Sequence, residues 1–349
     1  MVVVHLIFSF NIGGAEAMLV DILRHQSKVC TTHLVIVNDA IDLGLLKTLS
    51  SRTKIHQIGR KPGSRTPWPL LRLNLLLRQI GADVVHMHNA NAAALFPKWF
   101  DGPWRKVVTI HGLGKSCVNL DRYDIVFAIS SAVKLDLAER CGYNSAVVPN
   151  GINFDEIISK KETQQMNKPW NIVQVSRLLH EKKGQHLLID ALAILRNRYH
   201  IDATVTFIGE GPSLEFLQLK VRKLGIEKYC TFAGLWNRER VYQKLNEFDL
   251  LVQPSSYEGF GLTVVEGIAA RLPVIASDAG GPAEILKDGQ YGWLFRKGDC
   301  QDLADKLRTV IELMQVGDTD TKLHAAYSYG KANFDISRTA DKYMQEYLC

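Results

Sequence analysis

The sequence predicts an α/β protein built from two doubly wound domains, each around a parallel sheet. Three observations carry that expectation. Short β-rich runs, apolar throughout, alternate with amphipathic helical windows, the pattern of strands covered on both faces. The alternation runs through the chain twice. It lapses once, in a polar, turn-rich stretch near the middle. With 349 residues, 46% of them hydrophobic, there is ample material for two cores, and disordered, collagen-like or low-complexity character is excluded.

In the first series the expected strands are residues 2–8, 33–37, 54–58, 83–87, 106–110, 125–129 and 146–148. Helical windows at 15–27, 41–50, 69–80, 90–100 and 132–141 separate several of them. The pattern then lapses across 149–168, where Pro149-Asn150-Gly151 is followed by the polar run 160–165. The second series places strands at 172–175, 204–208, 231–232, 250–252 and 274–276, with helices at 185–198, 213–224, 239–247, 262–270 and 301–314. A last helical window, 337–348, closes the chain. The expected division is therefore 1–160, 161–336 and a terminal helix at 337–349. Ligand crevices are expected at the carboxyl ends of the strands, where Rossmann-like sheets bind their ligands.

The net charge of +6 is unevenly shared. Residues 1–168 hold 20 Lys/Arg against 13 Asp/Glu, and residues 169–349 hold 22 against 23. The basic half suits an anionic partner, a membrane surface among them, although a solvated basic surface gives the same count. No apolar run reaches the ~18 residues of a membrane span. The start Met-Val-Val-Val-His5 carries no basic n-region or cleavage-site pattern, so secretion is not expected, and the six dispersed cysteines are expected to be reduced thiols. A cytoplasmic protein is expected, with the inner face of the membrane as the surface its basic half would meet.

Four segments speak to chemistry. Gly13-Gly14, after the first strand, lets backbone approach a ligand at a helix start that attracts anions, though a plain tight turn reads the same way. Arg177 to Gly184 sets Arg177, Lys182 and Lys183 at a strand end, where they suit a diphosphate. Gly209-Glu210-Gly211-Pro212 is mostly a turn. The richest is 255–270, with Glu258 and Glu266 eight apart around Gly259, Gly261 and a helix start near Leu262. Carboxylates accept paired hydroxyls, as a ribose or hexose diol offers. Helix capping is the competing use of such glutamates.

These segments occur in order with Asp83-Val84-Val85-His86-Met87-His88-Asn89, Thr109-Ile110-His111-Gly112, Val148-Pro149-Asn150-Gly151-Ile152 and Asp278 to Glu284. Together they resemble the family-4 glycosyltransferases of surface-polysaccharide type, from residue 13 to 284. The resemblance implies the GT-B fold: an N-terminal acceptor-binding domain facing a C-terminal nucleotide-sugar domain across a cleft, with the terminal helix crossing back to the first. It implies a retaining, metal-independent hexosyltransferase. Such an enzyme moves a hexose or N-acetylhexosamine from a nucleotide-diphosphate sugar, UDP preferred, to a glycan or lipid-linked acceptor, with no cofactor. By the same resemblance, Gly13 and Gly14 meet the donor phosphate or the acceptor. Arg177 and Lys183 form the diphosphate clamp, with Lys182 as the other candidate for the lysine's role. Glu266 holds the ribose, and Glu258 the sugar hydroxyls. The amides of Phe260, Gly261, Leu262 and Thr263 hold the sugar or distal phosphate, and His111 lies near the reacting face.

Other features are set aside. Asp318-Thr319-Asp320 is expected to be a solvated loop rather than a metal site. His86 and His88 are expected on opposite sides of their strand, one in the core and one at the cleft edge, and so a poor metal pair. The segment 60–78, a basic loop with Trp68 running into a Leu-rich helix, suggests contact with an anionic membrane; core leucines are the plainer reading. The alternatives to a transferase are a UDP-sugar 2-epimerase of the same fold and a non-catalytic nucleotide-sugar-binding protein. Nucleic-acid binding is not expected, because no clustered reading helix is present.

Overall fold

The computed structural model describes residues 1–11, 13–64, 66–88, 92, 95–96, 102–160 and 169–348. Ile12, Arg65, Asn89, most of the expected helix at 90–100, the polar run from 161 to 168 and Cys349 lie outside the described residues. The chain forms two units: Met1–Ile152 with Ile336–Cys349, and Asn153–Asp335. The division falls after residue 152 rather than 160, because the segment between is tied to the second unit. Ser159 Oγ donates to the Ala269 carbonyl at 2.8 Å, and Lys160 Nζ pairs with Asp249 at 2.8 Å.

The first unit contains β1 (Val2–Ile7), α1 (Gly14–Gln26), β2 (Thr31–Asn38), α2 (Leu43–Lys47), β3 (Lys54–Arg60), α3 (Trp68–Ile80), β4 (Val84–Met87), β5 (Arg105–Ile110), β6 (Ile125–Ala128), α4 (Ser131–Cys141) and β7 (Ala146–Val147). Its strands form one sheet in the order β3-β2-β1-β4-β5-β6-β7, every pairing parallel. Strands buried along their length, such as Val3, Val4 and Leu6 of β1, are what a sheet covered on both faces requires. Helix α4 shows the local logic of the ends: Ser130 Oγ accepts from the Val133 amide, and Gly142 closes the helix in the left-handed region.

The second unit holds β8 (Trp170–Val175), α5 (His180–Lys183), α6 (Gln185–Asn197), β9 (Ala203–Ile208), α7 (Leu214–Lys223), β10 (Cys230–Phe232), α8 (Arg238–Lys244), β11 (Leu250–Gln253), α9 (Leu262–Ala269), β12 (Val274–Ser277), α10 (Gly281–Ile285), β13 (Trp293–Phe295), α11 (Cys300–Gln315) and α12 (Asp320–Phe334). Its sheet runs β10-β9-β8-β11-β12-β13, again parallel. Both units are thus Rossmann-like, and the α/β expectation stands. The last helix, α13 (Ile336–Leu348), packs Ile336, Ala340, Tyr343 and Tyr347 into the core of the first unit beside Val3, Met18, Val84 and Phe127.

Three differences from the sequence reading are structural findings. Asp318-Thr319-Asp320 is not a solvated loop throughout, since Thr319 is fully buried and Asp320 opens α12. That helix escapes periodicity because its apolar stripe is broken by Gly330. A side chain there would meet Ile268 of α9 at 2.8 Å, so the glycine lets α12 lie close on α9. Strand β13 is too short to register as a pattern. The six-thiol expectation fails at one pair: Cys117 and Cys141 form a disulfide, their Cα atoms 5.7 Å apart. Twenty-four residues of separation hid the fact that the loop after β5 folds back on the end of α4. Cys30, Cys230 and Cys300 are free. Among the described residues no helix is long and apolar enough to cross a membrane.

Candidate active site

In the second unit the loops after β8 and β11 form one layer at the carboxyl ends of the strands. Close backbone packing makes that layer. Gly184, at φ +69°, lies so near Pro254 that a Cβ would sit 1.9 Å from its carbonyl oxygen; only glycine tolerates both conditions. Amide side chains from below fasten the β8 loop. Gln174 donates to the Lys183 carbonyl at 2.7 Å, and Gln185 donates to Ser176 Oγ and to the Arg177 carbonyl, each at 2.9 Å. The Ser256 amide donates to the Lys182 carbonyl at 2.9 Å, joining this loop to the one bearing Glu258.

On that layer the charged side chains converge. Lys183 Nζ forms an ion pair with Glu258 Oε2, both partly exposed. Lys182 reaches outward, its Nζ 5.6 Å from the centre of the Tyr257 ring. Arg177 is exposed, and its guanidinium has no hydrogen bond or ion pair among the described residues. Helix α9 begins directly after Gly261. The first amides of a helix lack intrahelical acceptors, so those of Leu262 and Thr263 remain donors. Thr263 Oγ1 donates to the Val175 carbonyl at 3.2 Å, holding the helix start against β8. The Phe260 ring turns inward against Phe334, so what this residue offers a ligand is backbone. Glu266 lies in the second turn of α9, its carboxyl pushed up to about 7 by burial, with the Arg238 charge pulling the other way.

Gly13, Gly14 and His111 belong to the first unit. Gly13 caps α1, and the Glu16 carboxylate folds over it, 2.4 Å from where a Gly13 Cβ would stand. Burial raises the Glu16 pKa. His111 follows β5, and it is not alone. Contrary to expectation, His86 and His88 share a side of the sheet, with ring centroids 4.5 Å apart. Residues two apart on a strand point the same way, so opposite faces was the wrong inference from their spacing. His5, the register partner of His86 on β1, completes a group of four imidazoles, three of them buried and His111 half-buried. His5 Nδ1 lies 3.0 Å from His88 Nε2, and His88 Nδ1 lies 3.2 Å from His111 Nε2. His5 Nε2 lies 2.7 Å from Gln26 Oε1. His86 is held between Tyr347 Oη and Thr109 Oγ1. Desolvation lowers all four, His5 and His111 to about 4 and His86 and His88 well below the usual imidazole range. His5, Gln26 and Tyr347 escaped the sequence reading, and Thr109 was read only as part of the motif around His111. The signal was present as polar residues at inward positions of apolar strands and helices.

Two parallel Rossmann-like units, with a glycine-lined, cation-bearing loop layer at the strand ends of the second, define the GT-B class of glycosyltransferases. Comparison with known proteins gives the family. Residues 155–329 match Glycosyl transferases group 1, and residues 12–156 match Glycosyltransferase Family 4. The first match takes in half of the chain, which therefore belongs to this glycosyltransferase family and is a transferase. It is 28% identical to the glycogen synthase of Mycobacterium tuberculosis over 309 residues, covering 80% of this chain and 73% of that protein. It is 25% identical to the N-acetylgalactosamine-N,N'-diacetylbacillosaminyl-diphospho-undecaprenol 4-alpha-N-acetylgalactosaminyltransferase of Campylobacter jejuni, covering 97% and 98%. Among solved structures, Anabaena HepE in complex with UDP and glucose is similar with a TM-score of 0.82 and 21% identity over 99% of each chain.

Proposed function

We propose that this glycosyltransferase is a retaining, metal-independent hexosyl- or N-acetylhexosaminyltransferase that takes its sugar from a UDP-sugar. The glycan or lipid-linked acceptor belongs to polysaccharide or glycolipid synthesis. The observation that carries the reading is the gathering of Arg177, Lys182, Lys183, Glu258 and the start of α9 on one loop layer. Breaking the sugar–phosphate bond puts negative charge on the diphosphate. Arg177 and Lys183, fixed beforehand by their loop, stabilise it as it develops. The amides of Phe260, Gly261, Leu262 and Thr263 add dipoles of the same sense. Glu258 accepts hydroxyls of the donor sugar, and Glu266 those of the ribose. The leaving phosphate takes the acceptor proton on the same face, which gives retention without an enzymic nucleophile. Gly13 and Gly14 offer amides to the ligand, while the Glu16 carboxylate beside them suits hydroxyls rather than a bare phosphate. His111 sits by the reacting sugar. The donor and acceptor classes draw support from the relatives, whose names include UDP and glucose in one case and a polyprenol-linked substrate in another.

Thermal-shift screening against a panel of nucleotide sugars tests this reading. Stabilisation by a UDP-sugar, lost in Glu266→Ala, is expected; no shift with any member of the panel refutes it. A membrane-bound acceptor is supported by the edge of the first sheet. Trp68 is 74% exposed and Leu75 54%, and both line a groove of about 690 Å³ together with Ile55 and Arg72. Co-sedimentation with anionic but not neutral liposomes, weakened by salt, is the expected result. Binding indifferent to both lipid charge and salt removes the membrane from the proposal.

A further inference from the structure

The four clustered histidines raise the question of what they do together. Nitrogens of His5, His86 and His88 all lie within 4.8 Å of one another, close enough to suggest a cation. Each of those nitrogens, however, already has a hydrogen-bond partner. A metal would have to replace bonds that are made. The arrangement instead reads as a wire with a direction.

The direction starts at Gln26. Its side-chain oxygen can only accept, so the contact with His5 Nε2 requires the proton on that nitrogen. A neutral imidazole has one N–H and one lone pair. His5 Nδ1 is therefore an acceptor, and His88 Nε2 must supply the proton between them. The same step repeats: His88 Nδ1 accepts, and His111 Nε2 donates. His111 is left with its lone pair on Nδ1. Among the described residues, that atom is the one ring nitrogen of the series without a partner, although it is buried.

We infer that Gln26, His5 and His88 are positioning residues that hold His111 in its Nε2–H form, keeping Nδ1 as a hydrogen-bond acceptor reserved for a substrate hydroxyl. The destination of that acceptor rests on the proposed placement of His111 beside the sugar; the tautomer itself does not. Desolvation disfavours a charged ring at all three, helped by the neighbouring imidazoles at His88 and by the Lys115 charge at His111, so the three stay neutral at pH 7. His111 then accepts a hydrogen bond from a hydroxyl without removing its proton. The residue orders a substrate hydroxyl rather than acting as a general base, in keeping with a reaction in which the leaving phosphate takes the acceptor proton. A donor and an acceptor at this position select different ligands. Nδ1 as acceptor favours a sugar O–H, whereas Nδ1–H would favour a phosphate or carbonyl oxygen.

The test is the long-range proton–nitrogen spectrum of the imidazoles in the full ¹⁵N-labelled protein, without substrate, near neutral pH. The His111 signals are those lost in His111→Gln. The expected result is a protonated Nε2 and a bare Nδ1 on His111, and a mixture of the two tautomers in Gln26→Met, where the fixed acceptor is gone. A proton on Nδ1 in the wild type overturns the inference, since it means that the wire runs the other way. An unchanged tautomer in Gln26→Met overturns it as well. Should that variant not fold, the wild-type spectrum decides alone. Because no substrate is present, the outcome is independent of nucleotide-sugar binding, which calorimetry with UDP-glucose reports separately.

Discussion

Replacing Glu266 by glutamine isolates a buried carboxyl that the fold holds at some cost. Its pKa is pushed from 4.5 to about 7 by desolvation. The ionised form is therefore less favourable in the native than in the unfolded state. Below pH ~4.5 the group is neutral in both states and costs nothing. As pH rises from there the unfolded chain releases the proton first, and native stability falls until the folded group ionises near pH 7. Above that the loss is complete, at about 3 kcal/mol from roughly 1.4 kcal/mol per pH unit. Glu266 is not wholly enclosed, and solvent reduces that figure to ~2 kcal/mol in the ligand-free protein. Glu266→Gln keeps the shape and removes the charge. Denaturant unfolding of the second unit should show the variant more stable than wild type by about that amount at pH 8 and equal to it at pH 4. The same variant should bind nucleotide sugar more weakly, because a neutral amide accepts the ribose hydroxyls less well. A glutamine variant less stable at pH 8, or a difference that does not change with pH, refutes the reasoning.

Arg177→Ala should lower turnover more than tenfold, on the order of the ~3 kcal/mol of a preorganised charge contact; steady-state kinetics at the wild-type rate would take Arg177 out of the mechanism. Gly184→Ala should destabilise the second unit by at least 1–3 kcal/mol, about what one strained residue costs, since its methyl group meets the Pro254 carbonyl at 1.9 Å. Calorimetry showing no loss would mean that the two loops are not packed as described. Peptide mapping without reductant should recover Cys117 linked to Cys141. Two separate alkylated peptides in protein kept from reductant would contradict the bridge.

Much of the molecule could be read from the chain. The doubly wound pattern, most strands and the residues of the loop layer all follow from local rules: apolar runs bounded by glycine, and cations placed just after a strand. Local rules also put Glu258 before a helix and Glu266 within it. They could not show that Lys183 and Glu258, 75 residues apart, meet as an ion pair. That contact depends on β8 and β11 lying side by side in the sheet. Nor could they show how far the Glu266 carboxyl is drawn from its usual pKa, which burial sets against the opposing charge of Arg238.

The helix α12 and the strand β13 were hidden because one packs through a glycine contact and the other spans three residues. The histidine group shows the division most clearly. The sequence by itself determined that His5, His86, His88 and His111 stand in or just after buried strands. Their spacing of two even required His86 and His88 to share a side, a rule misapplied rather than missing. Only the tertiary structure decided that β1, β4 and β5 are neighbours and that Gln26 and Tyr347 arrive from helices 321 residues apart in the chain. Hydrogen bonds reach about 3 Å, and which side chains come within that reach is set by the order of strands, not by the order of residues.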